Sequence, residues 1–402
     1  MLFVYRLSNG LTLLAEPMDR VESVSWLLSV PCGPVYESPD RAGLSGLTCE
    51  MALRGAGGRD SKTLLQAFEN LGCETVESVA YIHTGFSASL LAVNLLPSLE
   101  LLRDTVRFPH FPEDQLESAR QVLLQDVYAL EDDPTQKTML ELQRNFFPDP
   151  WGRSGIGTEE SIERIGIDDI RCHHHKFYQP DGATLSVAGR FDWNSLQDRV
   201  EELFGDWKPQ QVPSIHEHTQ GPAFVHFPYE SSQTQIGVAF PSPAFSQPNS
   251  LHARCAVGIL SGGMSNRLFN ELREKRGLCY SVHASYVTLK DRAGVFCYCG
   301  TASGRAAETL GVLFAELDRL RYGIADDELD RWKIHVRSDL FLQQESTAAR
   351  CGSLARDWFH LGQLRSLEEI EAAVAALTRS GLNDYFAAHP AGPFHVVTLG
   401  PR

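Results

Sequence analysis

Two short segments of the sequence carry side chains that could do chemistry. The segment GLSGLTCEM, residues 43–51, contains the adjacent pair Cys49 and Glu50, a thiol and a carboxylate that could each ligate a metal. The segment LREKRGLCY, residues 272–280, places Arg273 seven residues before Tyr280. A guanidinium fork and a phenol hydroxyl are donors of the kind that stabilises a developing oxyanion. The alternative for this pair is structural, with the arginine in a salt bridge at a helix end and the tyrosine ring packed.

Other runs of polar or small residues are weaker candidates for ligand sites. The run CHHHKF contains three histidines at 173–175, but consecutive side chains on a helix diverge by about 100° and cannot converge on one ion. We therefore expect a packed or solvated helix end there, and the same divergence separates Cys49 from Glu50. The run SGGMS at 261–265 resembles an anion-binding loop but lacks the Lys-Ser/Thr ending of a phosphate loop, so its glycines are expected to allow close helix packing.

The composition places these segments in a globular protein. The chain has 402 residues, 43% of them hydrophobic and 22% charged, which is enough for two or three domains. A formal net charge of −15 argues against nucleic acid or an anionic membrane as the main partner. The nine cysteines form no C-x-x-C pair, and the start MLFVYRLSNGLTLLAEP is typical of a β-hairpin, not of a signal peptide. Together these features predict reduced thiols and a cytoplasmic location.

The sequence pattern predicts two copies of one α/β unit. A proline-rich polar segment predicts domains at 1–208 and 221–402, joined by a linker at 209–220. Superposing Leu116 on Leu329 brings Asp126 onto Asp339 at the same offset of 213 residues, and each half ends in an apolar strand that closes on glycine. Hairpin-like strands mix with long amphipathic helices. We expect an α+β fold of two homologous domains, each a mostly antiparallel sheet with helices packed on one face.

The motifs resemble those of the pitrilysin/insulinase (M16) zinc peptidases, in the short bacterial branch related to mitochondrial processing peptidase. LSNGLTLLAEP resembles the family's opening hairpin, GTEESIERI and FYQPDGATLSVAG resemble its mid-chain signatures, and GGMSNRLFNELREKRGLCYSV is the most specific match. Active members carry His-x-x-Glu-His on a helix, where histidines at i and i+4 share one zinc ion and the glutamate activates its water. The resemblance implies the metallohydrolase fold of this family.

The resemblance also implies that the zinc site of this chain is degenerate. The first histidine falls on Gly46, the general base on Cys49, the second histidine on Glu50 and the third ligand on Asp126. Zinc-generated hydroxide is therefore not expected here, and we expect this chain to hold no metal. A site for another ion would rest on Glu50 and Asp126 alone, which is a weak arrangement of hard ligands. Because Asp126 falls within an apolar helical stripe, a buried structural role is favoured over a relic ligand.

For Arg273 and Tyr280 the resemblance implies binding of the substrate backbone and stabilisation of the oxyanion at a partner's zinc site. The leading hypothesis is a non-catalytic subunit that closes a peptide-holding chamber against a paralogue bearing His-x-x-Glu-His and zinc. A homodimer is possible when that partner is missing. One alternative is a purely structural subunit without a peptidase partner. A second is an independent peptidase with a remodelled site at Cys49, Glu50 and Asp126, although no histidine lies within the motif.

Overall fold

The computed structural model describes residues 2–401, which divide into two compact units. The first unit contains Met1–Ala129, Arg153–His216 and Leu342–Leu364, and the second contains Leu130–Gly152, Glu217–Phe341 and Arg365–Arg402. Residues 207–222 have neither helix nor strand. None of the helices within residues 2–401 is both long enough and apolar enough to cross a lipid bilayer.

The regular elements alternate between short strands and amphipathic helices. The strands are β1 (Phe3–Arg6), β2 (Thr12–Pro17), β3 (Ser23–Val30), β4 (Gly55–Ala56), β5 (Arg59–Asp60), β6 (Glu74–Val79), β7 (Thr84–Leu91), β8 (Thr184–Gly189), β9 (Phe224–Pro228), β10 (Gln233–Ser242), β11 (Cys279–Leu289), β12 (Arg292–Ala302) and β13 (His395–Gly400). The α-helices are α1 (Leu44–Ala52), α2 (Ser61–Asn70), α3 (Leu95–Arg107), α4 (Leu116–Asp132), α5 (Pro134–Phe146), α6 (Glu159–Glu163), α7 (Ile167–Phe177), α8 (Trp193–Phe204), α9 (Ser250–Leu260), α10 (Ala306–Arg319), α11 (Asp326–Gln343), α12 (Thr347–Leu361), α13 (Leu367–Ala375) and α14 (Arg379–Ala388).

The two large sheets have the same topology. The first has the order β1-β2-β8-β3-β7-β6, and the second, taken from β9, has the order β9-β13-β10-β12-β11. Apart from the extra edge strand β1, the two orders correspond strand for strand. Each sheet is antiparallel except for one parallel pair at the same place, β2 with β8 and β9 with β13. The predicted α+β fold with mostly antiparallel sheets is therefore confirmed, and the shared strand order supports the repeat.

The first sheet is covered on both faces. Helices α2, α3 and α8 supply the core against one face, to which Trp26 points, and its Nε1 donates to Ser98 Oγ on α3 at 3.0 Å. The neighbouring Ser25 points the other way, as successive strand residues must, and its Oγ lies 2.8 Å from Thr347 Oγ1 on α12. The sheet thus has the predicted layer of helices on one face and, in addition, helix α12 on the opposite face.

The covering helices are exchanged between the two halves of the sequence. Helix α12 comes from the second half but packs on the first sheet, and α5 comes from the first half but packs on β10 and β13 of the second sheet. A Cβ atom at Gly237 on β10 would lie 3.1 Å from Leu142 Cδ2 and 3.2 Å from Thr138 Cγ2, so the glycine allows α5 to approach closely. The compact units therefore differ from the linear ranges 1–208 and 221–402 by an exchange that the sequence did not predict.

Candidate functional site

Helix α1, which carries three of the four motif positions, begins at a fixed turn. Gly43 has φ of +92°, a backbone conformation that glycine adopts without steric cost. The carboxylate of Glu37 accepts hydrogen bonds from Gly43 N at 2.8 Å and Ser45 N at 2.7 Å. Glu37 is only 5% exposed, and burial raises its pKa although these hydrogen bonds act in the opposite direction. The start of the helix is thus held by a buried carboxylate outside the motif.

Gly46, at the position that the resemblance assigns to the first histidine, has little room for a side chain. A Cβ atom there would lie 3.2 Å from the backbone oxygen of Gly155 and 3.3 Å from Leu123 Cδ2. Such contacts are tighter than ordinary van der Waals contacts, so even alanine requires its neighbours to move. An imidazole needs much more space. The loop at Gly155 and the helix α4 side chain of Leu123 therefore fill the volume that a ligand would occupy.

Cys49 and Glu50 are both occupied by structural interactions. Cys49 is 5% exposed, and burial, reinforced by the nearby carboxylate of Glu77, raises its thiol pKa well above the ordinary value. A protonated thiol is neither a general base nor a good metal ligand. The Glu50 carboxylate accepts hydrogen bonds from Arg54 Nε at 3.0 Å and from its terminal Nη2 at 2.6 Å. This i,i+4 ion pair neutralises the one carboxylate that α1 offers.

Asp126, at the position of the third ligand, is solvent-exposed on α4. The expectation of a buried structural carboxylate is therefore wrong, and its repeat mate Asp339 on α11 is exposed as well. The helical stripe predicted an inward residue, but none of residues 125–132 is buried, although Val127 still packs partly against the core. The apolar periodicity of a helix predicts which face points towards the core, but not the residue at which the core stops covering that face.

The residues at the four motif positions do not fit a zinc ion. A catalytic zinc site uses three protein ligands, commonly with imidazoles among them, and leaves one position open for water. This chain offers a closed glycine position, a protonated thiol, an ion-paired carboxylate and an exposed aspartate. Within residues 2–401 there is also no group of three or more His, Cys, Asp or Glu side chains that could hold a metal.

The three consecutive histidines of α7 diverge, as their spacing predicted. His173 is buried and its Nε2 lies 3.2 Å from Cys32 Sγ and 3.1 Å from Ser45 Oγ on α1. Burial lowers the pKa of His173 to about 3, so the imidazole is neutral. His174 donates from Nε2 to a backbone carbonyl at the end of α3 at 2.8 Å, and His175 is exposed. His173 is a support of α1 that sequence reasoning missed, because its partners are distant in the chain.

Arg273 and Tyr280 lie directly against each other. Arg273 belongs to a π-helical turn, Phe269–Glu274, a rare geometry that is frequent at functional sites. Its guanidinium carbon lies 4.5 Å from the centroid of the Tyr280 ring and 4.7 Å from that of the Phe269 ring. One terminal nitrogen also donates to the backbone oxygen of Tyr280 at 2.9 Å. Tyr280 is 80% exposed, whereas the Arg273 side chain is partly buried beneath it and its Nε also lies 3.7 Å from the carboxylate of Glu274.

The turn that presents this pair is fixed by the backbone. Gly277 has φ of +55°, and Arg305 donates to the backbone oxygens of Gly277 at 3.0 Å and Arg276 at 3.3 Å. Tyr280 lies within a register irregularity of β11, between Cys279 and Val282. Such a bulge re-aims side chains at the end of a strand. The Arg–Tyr pair is therefore held by a braced turn at the start of β11.

The first large sheet ends in the edge strands β1 and β6, and the second ends in β9 and β11. Among the described strands, β6 pairs only with β7 and β11 pairs only with β12, so each ends its sheet with unpaired backbone groups. Unpaired edges of this kind accept extended peptides as added strands. The edge strand β11 carries Tyr280 near its first residue.

The chain matches known families over most of its length. An insulinase (peptidase family M16) model matches residues 14–159, and a peptidase M16 inactive domain model matches residues 164–335. A protein from Rickettsia bellii named an uncharacterized zinc protease is 28% identical over 91% of this chain and 90% of its own length. The uncharacterized zinc protease YmxG of Bacillus subtilis is 24% identical over 94% of this chain and 93% of its own length.

Solved structures share the fold. A peptidase M16 inactive domain from Pseudomonas fluorescens has a TM-score of 0.91 at 22% identity and covers 100% of this chain and 98% of its own. A protease from Helicobacter pylori has a TM-score of 0.89 at 20% identity, with 100% of both chains covered. The two consecutive family matches, the full-length relatives and the repeated sheets agree, and the chain belongs to the insulinase (M16) family of peptidases.

Proposed function

We propose that this chain is the non-catalytic subunit of a two-chain zinc peptidase. A paralogue bearing His-x-x-Glu-His would supply the zinc and the general base, and this chain would donate Arg273 and Tyr280 to the peptide being cleaved. The observation that carries the proposal is the contrast between the two candidate sites. The motif positions of α1 are crowded or neutralised, whereas the Arg–Tyr pair is braced, with Tyr280 exposed and Arg273 partly exposed.

The chemistry of the Arg–Tyr pair suits a supporting role in peptide hydrolysis. A guanidinium carries five N–H donors, and one of the terminal nitrogens of Arg273 is engaged with the backbone of Tyr280. Arg273 Nε lies 3.7 Å from the carboxylate of Glu274, and the second terminal nitrogen can bind a peptide carbonyl, while the phenol of Tyr280 can donate to an oxyanion. Preorganised donors of this kind contribute to the rate only where another group supplies the nucleophile. The assignment therefore requires a partner with an intact zinc site.

The edge strand β11 also suits an extended substrate. A peptide that adds to the open edge of β11 would have its backbone fixed by main-chain hydrogen bonds next to Tyr280. Recognition through the backbone favours unfolded peptides over folded proteins, because only an extended segment can pair with a strand edge. The proposed substrates are accordingly unstructured peptides.

Two other functions have less support. An independent peptidase with a remodelled site at Cys49, Glu50 and Asp126 conflicts with the buried protonated thiol, the ion-paired carboxylate and the exposed aspartate. A purely structural subunit is compatible with the fold but gives no reason for a braced, exposed Arg–Tyr pair. The experiment below separates both alternatives from the proposal.

The test is peptide cleavage by this chain alone and with a co-expressed zinc-bearing paralogue. We expect no zinc-dependent cleavage by the lone chain, cleavage by the mixture, and loss of about 100-fold in kcat/KM for Arg273→Ala and for Tyr280→Phe, as for removal of one oxyanion donor. Arg331→Ala and Tyr322→Phe are matched controls, because both residues are also exposed in the second unit. Chelator-sensitive cleavage by the lone chain would overturn the proposal. An active mixture that tolerates both substitutions would remove the shared-site part of it.

A further inference from the structure

A separate cavity of 570 Å³ lies within the second unit, away from the Arg–Tyr turn. Its walls come from the carboxyl end of β10, one side of α9 and the end of α14 with the residues that follow it. The volume lies inside the range of about 300–1,000 Å³ that is typical of sites for small molecules. None of the residues discussed for peptide hydrolysis lines this cavity.

The floor of the cavity is apolar. It is formed by Phe240, Leu260, Val295, Leu320 and Phe386, each of which is less than 9% exposed. Protein interiors are normally packed to the density of organic crystals, so a space of this size beside core side chains is unusual. Water within it faces hydrocarbon, and displacing that water by an apolar body is favourable. The floor therefore fits a ligand with a hydrocarbon portion.

The mouth of the cavity is held in place by local contacts. Tyr286 OH donates to the backbone oxygen of Pro243 at 2.6 Å, and the side-chain oxygen of Gln247 accepts from Ala244 N at 2.9 Å. On the other side, the rings of Tyr385 and His389 stack at 4.5 Å with an interplanar angle of 24°. These contacts preform the opening, which lowers the ordering cost of binding.

The charges at the cavity favour an anion. Among the described residues that line it, Arg321 and His389 are the charged or basic ones and none is Asp or Glu, although the chain has 51 acidic residues against 36 lysines and arginines. One terminal nitrogen of Arg321, Nη2, pairs with Asp318 at 3.2 Å and donates to Tyr322 OH at 2.6 Å. Arg321 and Asp318 are both nearly half exposed, so this surface ion pair is weak, and the other guanidinium nitrogens can donate to a second anion. His389 donates from Nδ1 to the backbone oxygen of Tyr385, which leaves Nε2 for a ligand.

We propose that this cavity binds a medium-chain carboxylic acid. The hydrocarbon chain lies against the apolar floor between α9 and α14, and the carboxylate lies at the guanidinium of Arg321. The combination of an apolar interior with a lining that contains Arg321 and no Asp or Glu is what distinguishes this assignment from a neutral apolar ligand or the apolar side chain of a peptide. The binding is independent of the proposed peptidase role.

The test is calorimetric titration of the full-length chain with octanoate and with octan-1-ol, which has the same chain and no charge. We expect saturable binding of one octanoate per chain and at least about tenfold weaker binding of octanol, because a charge-assisted hydrogen bond contributes about 1.5–3 kcal/mol. Arg321→Gln should remove this preference and leave octanol binding unchanged. Arg331→Gln, which breaks a similar exposed ion pair outside the cavity, should retain the wild-type preference.

A second variant locates the binding site. Ala253 on α9 lines the cavity and is buried, so Ala253→Leu should fill part of the space and weaken octanoate binding at least about tenfold, as expected for a blocked apolar site. Ala391→Phe, on the opposite wall, provides the same test should the first variant fail to fold. Absence of saturable octanoate binding, or binding unchanged in the folded cavity variants, would overturn the proposal. Equal affinity for octanol would overturn the carboxylate assignment and favour a neutral apolar occupant.

Discussion

The buried imidazole behind α1 makes a quantitative prediction about stability. His173 contacts Cys32 and Ser45, and burial lowers its pKa from 6.5 to about 3. The folded chain therefore keeps this imidazole neutral at pH values where the unfolded chain protonates it. Because the unfolded state binds more protons below pH 6.5, the free energy of unfolding must fall as the pH decreases from there towards 3. We expect His173→Gln, which cannot titrate, to lack this contribution.

The size of the effect follows from the two pKa values of His173. Between pH 7.5 and pH 5.0, the proton uptake of the unfolded imidazole lowers the free energy of unfolding by about 2 kcal/mol. This figure depends mainly on the unfolded value of 6.5, because a folded pKa of about 3 leaves the native imidazole almost fully neutral at pH 5.0. The partly buried His174 has a pKa lowered to about 4 by desolvation and adds a similar loss. The prediction therefore compares the pH-dependent loss of unfolding free energy in the His173→Gln variant with that in the wild type.

The assay is urea unfolding of the wild type and of His173→Gln at pH 7.5 and pH 5.0. Whatever the stability of the variant at either pH, its loss of unfolding free energy between pH 7.5 and pH 5.0 should be smaller than that of the wild type by about 2 kcal/mol. His175→Gln removes an exposed histidine from the same helix and should behave like the wild type. Equal losses for the wild type and His173→Gln would refute the inference that His173 is held neutral beneath α1.

Further predictions concern packing at the degenerate motif and under the exchanged helix. The triple variant Gly46→His, Cys49→Glu, Glu50→His should bind no stoichiometric zinc, as measured by metal analysis. It should also melt at a lower temperature than the wild type, because a histidine side chain at position 46 crowds its neighbours. Tight zinc binding at an unchanged melting temperature would contradict this prediction. Gly237→Ala should lower the free energy of unfolding by about 1 kcal/mol through crowding against α5, measured in urea. Gly311→Ala, within α10 with nothing within 4 Å of its added carbon, should instead raise it by up to about 1 kcal/mol, and equal effects would refute the packing argument.

Much of the fold could be predicted from local patterns. The offset of 213 residues that relates Asp126 to Asp339 also relates α4 to α11, and the strands that close on Gly189 and Gly400 occupy the same place in their sheets. These features are readable because strand and helix periodicity depend on neighbours in sequence. The exchange of α5 and α12 is different. Nothing in the apolar face of a helix specifies which of two similar sheets it will cover.

The candidate site shows the same division between local and distant contacts. The pair of Glu50 with Arg54 is an i,i+4 spacing that the sequence already contains. The capping of α1 by Glu37 and its support by His173 depend on loop geometry and on a helix more than a hundred residues away. The exposure of Asp126 depends on where α4 leaves the core. The types of the motif residues were therefore visible in the sequence, whereas their structural use was not.

The packing of the motif residues on α1 bears on whether the chain could bind zinc. A site that had only lost its metal ligands would leave a cleft lined by small or mismatched side chains. Here the Gly46 position is filled by Leu123 and Gly155, and Cys49 belongs to the first unit's core. Because these contacts now hold α1 in place, recovery of a zinc site would require repacking and not merely the return of two histidines. The proposed function therefore depends on groups outside α1, and Arg273 and Tyr280 are in contact, with the Tyr280 ring exposed to solvent.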